Sequence, residues 1–226
     1  SCKAIRDCCD DLRFENNTNL PIVAGNVSFY NQSGDNAIPS SPMIGCFGKN
    51  IDVDKSIQNS FQSENSALFL LGGNNHSIGG SVTASLLKTN NNEVCHFSNK
   101  EYNQMLNGLI HLNSQELILS SRVVTRGGLA VSLSKMSFRN NVGVNVHLEN
   151  KEFEERLFNE NLSILLEVQS DDTNAVQKIL EKKDIPFDII GSTCSEKTIT
   201  INDKVNLPIN EANNIWGNSL RGKLLS

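Results

Sequence analysis

Apolar residues near the start of the chain fall at helical spacing. Ile5, Cys8, Cys9 and Leu12 make an i, i+3, i+4, i+7 stripe, which predicts a helix over 3–13. Pro21-Ile-Val-Ala24 reads as a short strand that stops at Gly25. The mostly polar stretch 31–42, with Gly34, Pro39 and Pro42, reads as a linker, and a second unit begins between its two prolines. In that unit, 43–47 and 67–71 read as strands. Tyr102, Met105, Leu106, Leu109 and Leu112 share one side of a helix predicted over 101–113. A helix over 128–138 follows a Gly-Gly turn, and 142–148 alternates apolar and polar as a half-buried strand does. Next come a short helix over 151–158, a strongly apolar strand over 162–168, and a helix over 173–182 with Ala175, Val176, Ile179 and Leu180 inward. Strands over 187–190 and 198–201 and a closing helix over 210–220 end the chain. This order predicts a mixed α/β or α+β class, a mixed β-sheet with helices packed on it.

Composition narrows the function classes. With 226 residues the chain can bury a core without disulfide or metal staples. None of the six cysteines forms a C-x-x-C pair or has zinc spacing with the histidines, so reduced thiols in a cytoplasmic protein are expected. A net charge of −5 argues against nucleic acid or an anionic membrane as partner, and no apolar run is long enough to span a bilayer. The N-x-S/T triplets at Asn16, Asn31 and Asn75 are what an asparagine-rich chain contains by chance.

The run Pro21-Ile-Val-Ala-Gly-Asn-Val-Ser-Phe-Tyr-Asn31 carries the clearest chemistry. Gly25 lets the backbone approach a ligand closely. Asn26 offers a neutral amide oxygen suited to a hard cation such as Mg²⁺. Ser28 offers a hydroxyl for a phosphate or an amide. An ordinary strand-to-turn transition has the same composition, so spacing alone leaves both readings open. Elsewhere the signals are weak. His76, His96, His111 and His147 are scattered, and Cys95-His96, as strand neighbours, would point to opposite faces. Glu152, Glu154 and Glu155, the Glu181–Asp184 charges and Asp10-Asp11 read as solvated helix faces or ends.

The same run resembles the P-V-V-S-G-N-V-S-L/F-Y-N element of the phosphoribosylformylglycinamidine synthase family. Further matches follow in order: Ala37-Ile-Pro-Ser-Ser-Pro-Met-Ile-Gly-Cys-Phe-Gly48, Ile51-Asp-Val-Asp54, Leu70-Leu-Gly-Gly73, Ile78-Gly-Gly-Ser81, Gly127-Gly-Leu-Ala-Val131 and Leu157-Phe-Asn-Glu160. The resemblance covers nearly the whole chain and implies the C-terminal part of a longer ATP-dependent ligase. Residues 1–38 would be the last helix and strand of its second ATP-binding-type N-terminal-like domain. Residues 39–226 would be its C-terminal α/β domain, as in aminoimidazole ribonucleotide synthetase-related proteins. It also implies that Gly25 contacts ATP, Asn26 holds Mg²⁺ and Ser28 contacts formylglycinamide ribonucleotide. The implied partners are the rest of the synthase chain, a glutaminase subunit and a small bridging subunit. Two departures stand out: Ser121 to Arg126 lacks the Asp that precedes the family's Gly-Gly-Leu, and L-F-x-E-S-Q has become Leu157-Phe-Asn-Glu-Asn-Leu162. They imply that 39–226 is scaffold rather than catalytic. A non-catalytic structural module and another aminoimidazole ribonucleotide synthetase relative, such as a selenophosphate synthetase, are the alternatives.

Overall fold

The computed structural model describes residues 2–14, 17–27, 30–39, 41–50, 52–72, 77–89, 98–149 and 153–225. The chain divides into two compact units, residues 1–54 and 55–226. The division by contact falls at 54/55, beyond the start expected between Pro39 and Pro42 and the 38/39 boundary that the resemblance implies.

The first unit has little regular structure. Helix α1 (Cys2–Asp11) forms as its stripe predicts. Strands β1 (Gln32–Ser33) and β2 (Asn36–Ala37) make a tight hairpin inside the expected linker. The strands expected over 21–24 and 43–47 are absent, and both stretches are exposed irregular chain. No described residue of this unit is buried. Apolar character drives strand formation only when another strand supplies hydrogen bonds and a surface to cover, and among the described residues nothing supplies these to 21–24 or 43–47.

The second unit holds a seven-stranded sheet. In chain order its elements are β3 (Ala67–Gly72), α2 (Val82–Leu87), α3 (Asn99–Ser114), β4 (Ser120–Val123), α4 (Gly128–Phe138), β5 (Gly143–Val146), α5 (Phe153–Phe158), β6 (Ser163–Val168), α6 (Thr173–Lys182), β7 (Phe187–Cys194), β8 (Thr198–Ile201), β9 (Val205–Pro208) and α7 (Ile209–Leu225). The strand order is β4-β6-β3-β7-β5-β8-β9, antiparallel except for the parallel pair β5–β8.

Both faces of the central strands are covered. Leu68, Leu70 and Leu165 join a core with Leu129, Leu133 and Met136 of α4, Phe153 and Leu157 of α5, and Ile209 and Ala212 of α7. Phe69, Leu71, Ile164, Leu166 and Val168 face Met105 and Leu112 of α3 and Val176 and Leu180 of α6. Strand β3 and the Ile164–Leu166 part of β6 therefore read as continuous apolar runs, as strands buried on two sides do; Glu167 is the buried exception. The β5–β8 end is covered on one side only, so Val144, Val146, Ile199 and Ile201 are buried while Asn145 is exposed and Thr200 half-buried. The expected inward set of α6 holds for Val176 and Leu180; Ile179 is half-buried and Ala175 exposed. No helix among the described residues is long and apolar enough to cross a membrane.

Candidate functional site

Hydrogen-bond register brings three loops to one end of the sheet. Gly72, ending β3, pairs with Ser163, which begins β6, and Val123, ending β4, pairs with Ile164. The loops leaving β3 and β4 therefore meet the loop that enters β6. The first two loops carry the Gly-rich runs, Gly72 and Ile78-Gly-Gly-Ser81, then Gly127-Gly128; the third carries Asn159-Glu160-Asn161.

The Glu160 carboxylate ties this corner together. Its Oε1 accepts from the Val82 amide and from the Gly127 amide, each at 2.9 Å. Val82 opens α2 and Gly127 stands at the N-cap of α4. Both amides are among the helix-end donors that lack an intrahelical partner, and the helix dipoles favour an anion there. The Ser81 hydroxyl caps α2 by accepting from the Ala84 amide at 3.1 Å. Asn159, buried, donates from Nδ2 to the Glu155 carbonyl at 2.8 Å and accepts the Asn161 amide at 3.2 Å. Asn161 Nδ2 donates to the Ser77 carbonyl at 3.4 Å. Gly128 has φ +69, and a Cβ there would sit 2.7 Å from the Leu157 oxygen and 2.7 Å from Phe158 Cα. A backbone-to-backbone contact this tight admits only glycine. Arg126 is exposed on the same loop.

A second polar cluster holds the sheet margin. Glu167 is fully buried on β6 and accepts from the Ser120 hydroxyl at 2.6 Å and from the Gln62 and Ser63 amides at 2.9 Å. Burial pushes its carboxyl above the ordinary range, opposed by the Ser120 hydroxyl and the Ser63 and Gln62 amides. It pins the segment before β3 to β6.

The residues expected to carry chemistry lie in the first unit. Gly25 and Asn26 are exposed, in irregular backbone, and a Cβ at Gly25 would have nothing within 4 Å. Ser28 lies outside the described residues, as do His76, Cys95, His96 and Glu152. Among the described residues no three His, Cys, Asp or Glu side chains gather where they could hold a metal ion. Magnesium is usually held by one or two carboxylates together with substrate phosphates. Asn26 brings one neutral oxygen, so the described residues by themselves do not fit a magnesium site. The sequence reading missed the role of Glu160. It treated Leu157-Phe-Asn-Glu160 as a degenerate signature, whereas the carboxylate is bonded to both Gly-rich loops.

Residues 63–204 match the family described as AIR synthase related protein, C-terminal domain, and the chain belongs to that family. Within it, the chain is similar to a protein named phosphoribosylformylglycinamidine synthase subunit PurL. The relative from Picrophilus torridus is 32% identical over 236 residues, covering 99% of this chain and 28% of the relative. The one from Lactobacillus acidophilus is 32% identical over 224 residues, covering 96% and 28%. The chain thus spans under a third of the length of these curated relatives. Among solved structures, Thermotoga maritima PurL complexed with FGAR superposes with a TM-score of 0.61 at 14% identity, over 71% of this chain and 30% of that one. The PurLQS structure from the same organism gives 0.59 at 14% identity, over 72% and 28%. At such identity these structures establish the shared fold.

Proposed function

We propose that this chain is the C-terminal part of a phosphoribosylformylglycinamidine synthase, a cytoplasmic ATP-dependent ligase of purine biosynthesis. The observation that carries this reading is the similarity to PurL proteins along 99% of the chain, the Gly25–Asn31 run included. The complete enzyme would convert formylglycinamide ribonucleotide, ATP and glutamine-derived ammonia to the amidine, ADP and phosphate. The substrate amide oxygen would be phosphorylated and ammonia would displace the phosphate.

In this reading residues 1–38 finish the preceding ATP-binding-type domain and 39–226 are the C-terminal domain. Gly25 lies beside ATP, Asn26 supplies an oxygen toward Mg²⁺, and Ser28 contacts the substrate. The remaining donors belong to the rest of the synthase chain; a glutaminase subunit and a small bridging subunit supply ammonia. Neither nucleic acid nor membrane is a partner.

The Glu160 geometry favours a supporting role for residues 55–226. A carboxylate already bonded to two backbone amides is not free to act on a substrate. The purified chain should therefore show no turnover of formylglycinamide ribonucleotide with ATP and ammonia; turnover would overturn the fragment reading. In a complete enzyme carrying this segment, Asn26→Ala should slow turnover by about a hundredfold to a thousandfold, the usual loss for one transition-state contact. Asn161→Ala should leave it nearly unchanged. The reverse pattern would place the site in the wrong domain.

A further inference from the structure

A group of cations lies at the other end of α4 from the Glu160 corner. Lys135 sits in the last turn of α4 and Arg139 just past its end, about 11–16 Å along the axis from Gly128 at 1.5 Å per residue. Arg122 comes from β4 beside them. Each is held by a neutral group. Arg122 Nη1 donates to the Asn59 carbonyl and Arg139 Nη1 to Gln58 Oε1, both at 3.3 Å. Lys135 Nζ lies 4.3 Å from the centre of the Trp216 ring. Gln58 and Asn59 are chain neighbours, and Lys135 and Arg139 are one helical turn apart, so the three cations share one patch.

Among the described residues none of the three forms an ion pair. Glu167 shares this sheet face from the neighbouring strand β6, opposite Ser120, but its oxygens accept from Ser120, Gln62 and Ser63. Arg122 and Lys135 are half-buried. The Lys135 ammonium is held below its ordinary value by burial and then by the Arg122 charge. Partly desolvated like charges without an ion-pair partner among the described residues raise one another's cost; the carboxyl-end dipole of α4 offsets part of it, and a bound anion relieves more. Two guanidinium groups with unused N–H donors beside an ammonium match the oxygens of a phosphate group.

We propose that Arg122, Lys135 and Arg139 form a binding site for the phosphate group of a small phosphorylated molecule, with Trp216 as its wall. The site is independent of the synthase reading and of the Gly25–Asn26 run.

Trp216, the chain's one tryptophan, reports on the patch because Lys135 covers its ring. The full chain is titrated with inorganic phosphate, and separately with AMP, while sodium chloride keeps the ionic strength constant. Both should change Trp216 emission saturably. Lys135→Met and Arg122→Gln should each weaken half-saturation by about tenfold, the effect of losing one charge-assisted contact. Their urea midpoints and circular dichroism should match the parent, which separates lost binding from lost fold. Three results would overturn the site: a change that follows ionic strength alone, parental affinity in both variants, or an oligoglutamate peptide binding at least tenfold more tightly than either phosphate. The last would make the patch a protein-docking surface.

Discussion

Removing the Glu160 carboxylate should loosen two helix ends at once. Its Oε1 accepts two amides at 2.9 Å, from Val82 and Gly127. Hydrogen bonds to charged groups contribute about 1.5–3 kcal/mol each, and half-burial lets water replace part of the loss. The low end therefore applies, and Glu160→Ala should cost about 3 kcal/mol. Glu160→Gln keeps an oxygen acceptor and loses the charge, so about 1 kcal/mol is expected. For a chain of this size, 3 kcal/mol corresponds to roughly 6–12 °C in melting temperature. Urea unfolding of the full chain, followed by circular dichroism, measures both variants. Hydrogen exchange gives the local readout: the Val82 and Gly127 amides should exchange faster in Glu160→Ala, while the Phe69 and Leu166 amides in the sheet interior respond only through the global change. Two results would refute the clamp. One is a Glu160→Ala cost within about 0.5 kcal/mol of zero, the range of an ordinary surface substitution. The other is unchanged exchange at both amides.

Three further outcomes follow from other residues. Gly128→Ala should cost about 2–5 kcal/mol, from its left-handed backbone and the 2.7 Å approach to the Leu157 oxygen and Phe158 Cα, measured in the same urea experiment. Glu167→Ala should cost about 3–5 kcal/mol because it strands buried donors, whereas Glu167→Gln keeps the volume and an acceptor and should cost about 1 kcal/mol. The folded state binds the Glu167 proton more tightly than the unfolded chain does, so this group's contribution is largest at low pH and is lost as pH rises from the ordinary carboxylate range through the raised folded value; urea titrations across that window should show the decline in the parent and lose it in Glu167→Gln. Amides of residues 2–54 should exchange rapidly in the isolated chain, since none of the described residues there is buried, and strong protection at high dilution would contradict this.

Much of the second unit is legible in the sequence because its signals are local. The apolar runs of β3 and β6, the alternation around β5 and the periodicity of α3, α4 and α6 each report how many faces are covered. Helix α3 starts two residues ahead of the expected 101, where the Ser98 hydroxyl accepts the Glu101 amide. What escaped depends on partners far along the chain. Strand β4 is short and polar, Ser120-Ser-Arg-Val123, and forms because β6 pairs with it on one side and Gln58 bridges it on the other. Strand β9 is brief and ends in Pro208, features that demote a strand in sequence. The converse error arose at 21–24 and 43–47, where apolar residues look like strands yet find no neighbour. The Gly25–Asn26 run is contiguous, so a role for it can be proposed from the sequence alone. The Glu160 clamp could not, since it exists only once loops from three parts of the chain have met.

The strand order sets a waiting time during synthesis. Strand β3 lies between β6 and β7, and Ser163 of β6 is made about 90 residues after Gly72. At roughly 5–20 residues per second, β3 leaves the ribosome about 5–20 s before its first partner exists. Throughout that interval Leu68, Phe69, Leu70 and Leu71, all destined for burial, lack any surface in the sheet to cover them. A nascent chain stalled between α4 and β6 would present both edges of a four-residue apolar ribbon, the configuration that invites aggregation or capture by a chaperone.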